Sequence, residues 1–337
     1  MEEIEDIERA ATAGDVSAMT ALGKRKLAQA GTADQLEDAV RLLGAAAESG
    51  SAEADYFNSL VWGIFAHESQ EWSVALAHLL RSAERGWPTA REQLCLLAAD
   101  RDLAEAAQSG QCDNGAWRKL RDSIDLSALL GSPAATVVRQ APCIKTIKAF
   151  ASKAECEWMI ERSRPRLQRA RMINAHTQHT PIGIIDPRRT NSATFFDVLD
   201  SDFIVVLLRA RIALATQFPR PSLEVTGVMH YARGQRFPPH VDWFNPKEVP
   251  GAEEIRTKGQ RVGTFLMYLN DGFEGAETEF PLIDWRHKGA QGDALFFMNV
   301  DESGGMDRLT LHAGLAPTSG EKWLLSQWIR GRPGVGL

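Results

Sequence analysis

The sequence predicts an α+β protein of more than one domain, with an N-terminal array of α-helices followed by a strand-rich sandwich or barrel that carries flanking helices. Three observations lead there. Near the start, Gly14, Gly50 and Gly86 recur every 36 residues, as do Ala18, Ala54 and Ala90. The segment Leu129 to Thr136 (LLGSPAAT) has the small-residue and Pro/Gly content of a linker. From Leu223 onward, short apolar runs alternate with Gly, Asn and Asp turns, the punctuation of successive strands.

The opening, MEEIEDIERAATAGD, is acidic and helix-prone where a secretory signal would be basic and then apolar, and no run approaches membrane-spanning length. The expectation is a cytoplasmic protein with no membrane contact. A net charge of −6 over 337 residues gives no nucleic-acid footprint. Cys95, Cys112, Cys143 and Cys156 form no CxxC pair, which fits reduced, buried thiols.

A fixed period with small residues at close helix approaches is the mark of helix-turn-helix solenoids, with glycine in the turns where positive φ costs it little. The segments AVRLLGAAAESG and ALAHLLRSAERG resemble Sel-one-like repeats, a subclass of tetratricopeptide-type arrays, over roughly residues 10 to 98. That resemblance implies either a protein partner bound through the repeats or simple packing. The division expected is a helical domain over 1–130 and a second domain over 137–337.

In the second part, CIKTIKAF reads as a strand and SKAECEWMIERSRPRL as a helix capped by Ser152. The stretch DSDFIVVLLRARIALATQF reads as a long amphipathic helix. The strands follow in LEVTGVMHYARG, RVGTFLMYLND, GDALFFMNV and KWLLSQWIRG.

Candidate chemistry begins at PPHVDWF. His240 and Asp242 are two apart, and in extended backbone such residues point to one face and can reach one ion. His312, ahead of a turn-rich stretch, is the candidate third ligand. Ten residues on, Lys322 shares a strand face with Leu324, Ser326 and Trp328. A lysine facing inward among such neighbours needs an anion, which the carboxylate of a small molecule would supply. Two histidines and a carboxylate with open positions suit non-heme Fe(II) oxygenases. The same set could also hold zinc in a hydrolase.

At these residues the chain from Ile144 to Arg332 resembles the prolyl 4-hydroxylase-like branch of the Fe(II)- and 2-oxoglutarate-dependent dioxygenases. The motifs fall in order: Ser152 to Cys156, RRTNS from Arg188, Tyr231 nine before His240, His240 with Asp242, RVGTFLMYLND from Arg261, TEFP from Thr278, and His312 with Lys322 and Trp323. The resemblance implies a double-stranded β-helix, or jelly roll, with iron held at its mouth by His240, Asp242 and His312. It implies that Lys322 pairs with the distal carboxylate of 2-oxoglutarate. Tyr231 and Thr264 would add hydroxyl donors there, and Trp328 would wall the pocket. Ascorbate enters as a candidate additional cofactor. The loop Arg171 to Ala193 would fold over substrate, with Arg189 as a candidate contact, and Asn245 to Gln260 reads as an inserted polar loop. Hydroxylation of a prolyl residue, or of a related peptide, protein or amino-acid-derived substrate, is the implied activity. Alternatives are an interaction protein with an inert barrel, and a zinc hydrolase on the same triad. His67, His78, His176, His179, His230 and His287 receive no role.

Overall fold

The computed structural model describes residues 2–111, 115–171 and 185–334. Cys112, His176, His179 and most of the expected substrate loop, residues 172–184, lie outside the described residues. The described residues divide into two compact units, one within 2–131 and 197–210 and the other within 132–196 and 211–334.

The first unit is helical: α1 (Glu2–Thr12), α2 (Val16–Gln29), α3 (Ala33–Glu48), α4 (Ala52–Phe65), α5 (Ser69–Glu84), α6 (Pro88–Leu97), α7 (Arg101–Gln108), α8 (Gly115–Asp122) and α9 (Leu126–Leu130). Asp15, Thr32 and Ser51 each accept a hydrogen bond from the N–H three residues on, which caps the helix that follows. Gly14, Gly50 and Gly86 separate successive helices at φ of +88°, +100° and +96°. A β-carbon added at Gly14 or Gly50 would meet nothing within 4 Å, so backbone conformation and not space requires glycine at those two turns. Of the recurring alanines, Ala54 and Ala90 are fully buried and Ala18 is half-buried. Asp55, buried in α4, receives His78, Arg81 and Arg85 as ion-pair partners.

The linear division at 130 and 137 makes no provision for residues 197–210, which return to this unit. The reason is apolar. Helix α11 follows α10, given below, and covers Phe203–Thr216; its residues Phe203 to Leu208 are all buried. Phe203 meets the edge of Trp72 at 6.0 Å, and its N–H donates to Gln93 Oε1 at 2.8 Å. Val206 stands where a β-carbon on Gly63 would come within 2.9 Å. The expected amphipathic helix is therefore buried on all sides over its first half.

The second unit begins with β1 (Thr136–Arg139), β2 (Ile144–Ile147), α10 (Lys153–Ser163), β3 (Gln168–Arg169) and β4 (Ser192–Phe196). It continues through β5 (Thr226–Tyr231), β6 (Phe237–His240), α12 (Val249–Lys258), β7 (Arg261–Tyr268), β8 (Glu274–Gly275), β9 (Thr278–Phe280) and β10 (Trp285–His287). It closes with β11 (Ala294–Met298), β12 (His312–Gly314), β13 (Pro317–Ser319) and β14 (Lys322–Arg330). One sheet runs β1-β2-β11-β7-β14-β5-β4-β3, a second β10-β9-β12-β6, and β13 pairs with β8. All pairings are antiparallel. Met229, Leu266, Tyr268, Phe297 and Leu324 from the large sheet and Phe280 from the small one share a core. This is the packing of a jelly roll.

Outside it, α10 carries a full capping box, Ser152 with Glu155, as the sequence leads one to expect. Glu155 is also the ion-pair partner of buried Arg211. The inserted segment after the His-x-Asp motif is not all loop. Helix α12 occupies it, with Pro250 in its first turn and Gly259 at φ +77° as its C-cap. Glu254 Oε2 ties this helix to Arg330 at 2.6 Å. Among the described residues no helix is long and apolar enough to cross a membrane.

Candidate metal centre and co-substrate pocket

Strand register brings the two histidines together. In the small sheet His312 of β12 lies directly opposite His240 of β6, and the ring centroids are 4.2 Å apart. Asp242 follows β6 by two residues. Its Oδ1 is 3.7 Å from His240 Nε2 and its Oδ2 is 3.7 Å from His312 Nε2. One ligand atom from each of the three lies within 4.8 Å of the others.

The same local device orients both rings. His240 Nδ1 faces Pro238 O at 2.9 Å, and His312 Nδ1 faces Thr310 O at 3.0 Å, the carbonyl two residues back in each case. A carbonyl only accepts, so Nδ1 carries the proton and Nε2 turns its lone pair to the centre. Burial first, and then His312, pushes the His240 pKa down to about 3. Burial alone would raise the Asp242 carboxyl, but His312, His240, Arg261 and the Thr264 hydroxyl together hold it below its ordinary value. Two imidazoles and a carboxylate converging at this spacing fit a divalent first-row metal.

Aromatic rings back the cluster. Phe237 stacks on His240 at 3.5 Å and 12°, and Phe297 meets His312 edge-on at 4.8 Å. Neither ring is marked as a site residue by the sequence; Phe237 lies in β6 three residues before His240. Phe265 faces away and packs on Phe150 at 4.9 Å.

The pocket that opens on the triad holds about 410 Å³ of empty space, counting its mouth, and Lys322, Tyr231, Ser326 and Trp328 also line it. Lys322 is fully buried. Its Nζ donates to Ala276 O at 2.8 Å and lies 3.5 Å from Thr278 Oγ1, between the rings of Tyr231 and Tyr268 at 5.4 and 5.3 Å. No carboxylate pairs with it among the described residues. Burial pushes its pKa down to about 7. An anion entering the pocket would find an ammonium that has lost its water, where charge-assisted contacts are strong. Burial pushes the Tyr231 phenol up to about 12, so it stays protonated and can donate.

Two expected residues stand elsewhere. Thr264 is buried outside the pocket lining: its hydroxyl donates to Asp242 Oδ2 at 2.7 Å and accepts from Asn299 Nδ2 at 2.9 Å. The resemblance implies a hydroxyl donor to the co-substrate at this position, whereas the hydroxyl stands beside Asp242 and not beside Lys322. Arg189 likewise lies off the pocket wall and is 5% exposed. Its guanidinium donates to Asn191 Oδ1 and Arg171 O, both at 3.0 Å, and covers the Phe237 ring at 3.9 Å. It braces the ring that stacks on His240, and is neither a surface ion pair nor a group presented at the pocket.

Residues 226–330 match the 2OG-Fe(II) oxygenase superfamily. Prolyl 4-hydroxylase 1 of Arabidopsis thaliana is 32% identical over 215 residues, which are 60% of this chain and 73% of that protein. Prolyl 4-hydroxylase 13 of the same plant is 31% identical over 208 residues, 56% and 71% of the two chains. Among solved structures, the 2OG complex of the viral collagen prolyl hydroxylase vCPH of Paramecium Bursaria Chlorella virus-1 is 23% identical with a TM-score of 0.43, covering 56% of this chain and 96% of that one. The chain belongs to the 2OG-Fe(II) oxygenase superfamily, within its prolyl 4-hydroxylase family, and is a dioxygenase that depends on Fe(II) and 2-oxoglutarate.

Proposed function

We propose that this chain hydroxylates prolyl residues of a peptide or protein, with His240, Asp242 and His312 holding Fe(II) and Lys322 receiving the distal carboxylate of 2-oxoglutarate. One observation carries the reading: a fully buried lysine with no acid partner among the described residues faces the same pocket as a His-Asp-His cluster. A hydrolase on this triad would leave Lys322 without a task. Bound there, Fe(II) with dioxygen and 2-oxoglutarate supplies the oxidation that puts one oxygen into a substrate C–H bond, the other oxygen and the co-substrate leaving as succinate and carbon dioxide.

The protein's own part is positional. Nδ1 protons fixed on Pro238 O and Thr310 O keep both imidazoles aimed at the metal. Lys322, with the Tyr231 phenol as a second donor, orients the co-substrate. The half-buried Trp328 ring and the exposed Phe195 ring lie 6.4 Å apart and nearly parallel, an apolar strip for a prolyl ring. Phe297 and Leu266 exclude water from the centre. The helical segment 1–130 is proposed as a domain that recruits a protein partner, a reading supported by its 36-residue recurrence.

The full chain, incubated with Fe(II), 2-oxoglutarate and proline-rich peptides, should add one oxygen to proline, read by fragment mass spectrometry, with equimolar succinate. Oxygen placed only on other side chains would overturn the prolyl assignment. Absence of any 2-oxoglutarate turnover would overturn the site.

A further inference from the structure

We propose that Thr264 and Asn299 are positioning residues that hold the Asp242 carboxylate in one orientation for the metal. The proposal rests on the reading of His240, Asp242 and His312 as metal ligands.

The three side chains form a short one-way relay in the interior. Thr264 and Asn299 are each 1% exposed and Asp242 is 7% exposed. Thr264 sits in β7, opposite Phe297 of β11, and Asn299 follows β11 directly. The Asn299 backbone is pinned on both sides, its N–H to Val262 O at 2.8 Å and its carbonyl to the Asp307 N–H at 3.1 Å. Its side-chain amide donates to Thr264 Oγ1 at 2.9 Å, and that hydroxyl donates to Asp242 Oδ2 at 2.7 Å.

Proton counting makes the direction of the relay definite. A threonine hydroxyl has one proton, and a carboxylate has none at neutral pH. With the amide nitrogen toward Thr264, the hydroxyl accepts there and must spend its proton on Asp242. With the amide turned over, Thr264 would face two acceptors and satisfy only one. Asn299 Oδ1 is buried and meets no protein donor among the described residues, so no bond to that oxygen holds the amide the other way round. With Oδ2 engaged, Oδ1 is the oxygen of Asp242 that makes no hydrogen bond among the described residues, and it faces His240. The carboxylate is thereby kept from rotating about its last bond, and the metal finds a ligand already set. The Thr264 hydroxyl is thus withdrawn from the co-substrate, which leaves Lys322 and Tyr231 as the donors in the pocket.

The test uses Mn(II) as probe with the full chain, with binding followed by the loss of the free-ion paramagnetic resonance signal. Thr264→Val keeps the shape and removes the proton donor, and should weaken Mn(II) binding about 10- to 100-fold, the range for losing a partner of a metal ligand. Thr264→Ser, which restores the hydroxyl, should bring binding back to within about threefold of wild type, which a merely structural role of the threonine methyl would not do. Asn299→Leu frees the hydroxyl to rotate and should weaken binding by a smaller factor, and it carries the test if Thr264→Val does not fold. Wild-type binding with Thr264→Val and Asn299→Leu unchanged would overturn the proposal and leave the metal site standing. A wild-type chain that does not take up Mn(II) would overturn the metal site, and the proposal with it.

Discussion

Lys322 lies directly across the strand pair from Tyr231, its ammonium 5.4 Å from the centre of that ring and its own side chain fully buried. Its hydrogen bonds go to a carbonyl and a threonine hydroxyl, both neutral groups. An anion is the missing partner. Lys322→Ala should retain Mn(II) binding and raise the apparent KM for 2-oxoglutarate, since losing a charge-assisted pair costs about 1.5 to 3 kcal/mol, or roughly 10- to 150-fold. Steady-state kinetics at fixed Fe(II) check it; an unchanged KM would place the co-substrate elsewhere.

The same lysine sets a pH dependence. Burial lowers its pKa from 10.5 to about 7, the charge of Glu277 opposing that shift. His287, the neighbouring base, is pushed down to about 4 by burial and stays neutral above that. Lys322 by itself is therefore charged below about pH 7 and loses its proton above it. The dianion binds the charged form, so its affinity should fall as pH rises from 7 to 9, approaching tenfold per unit, with proton uptake on binding. Calorimetry in buffers of different ionisation enthalpy, with Mn(II) present, measures both. Affinity constant from pH 6 to 9 would contradict the assignment.

Two glycines of the helical unit should respond with opposite signs. Gly50 is held at φ +100°, so Gly50→Ala places a side chain in a disfavoured region and should destabilise by about 1 to 3 kcal/mol. Gly44, inside α3 with nothing within 4 Å of an added β-carbon, has no such constraint. Gly44→Ala should stabilise by about 0.5 to 1 kcal/mol. Thermal unfolding of the two variants decides, and equal shifts would refute the argument.

Removing residues 1–131 strips the neighbours from Phe203 to Leu208, which belong to the helical unit and are each at most 2% exposed. The remaining fragment should aggregate or melt well below the full chain, because a contiguous apolar surface is uncovered. Size-exclusion chromatography shows this. A monomeric fragment with full 2-oxoglutarate turnover would mean that residues 197–210 find other cover.

What the sequence made legible follows from periodicity. His240 and Asp242 are two apart, so the end of β6 and the residues just after it bring them together, and alternation along β14 is enough to turn Lys322 inward. Alternation gives a face and not a depth, and Thr264, given its role by the resemblance alone, carries no local signal that its hydroxyl reaches Asp242. Arg189 was unreadable for a related reason. Its burial depends on Phe237 and the Arg171 carbonyl, which arrive from other segments. The return of residues 197–210 to the helical unit is a long-range packing choice that no local pattern encodes. Helix α12 was hidden by its polar composition, since much of its length faces solvent.

The central claim is tested most directly at Asp242. Full-length wild type and Asp242→Ala are each incubated with Fe(II), 2-oxoglutarate and a proline-rich peptide, and succinate and peptide mass are read together. The wild type should give a peptide one oxygen heavier and succinate in equal amount. Asp242→Ala, melting near wild type because the residue sits beside the pocket, should give neither product. Undiminished succinate and peptide oxidation in that variant would contradict the assignment of His240, Asp242 and His312 as the centre at which this chain oxidises its substrate.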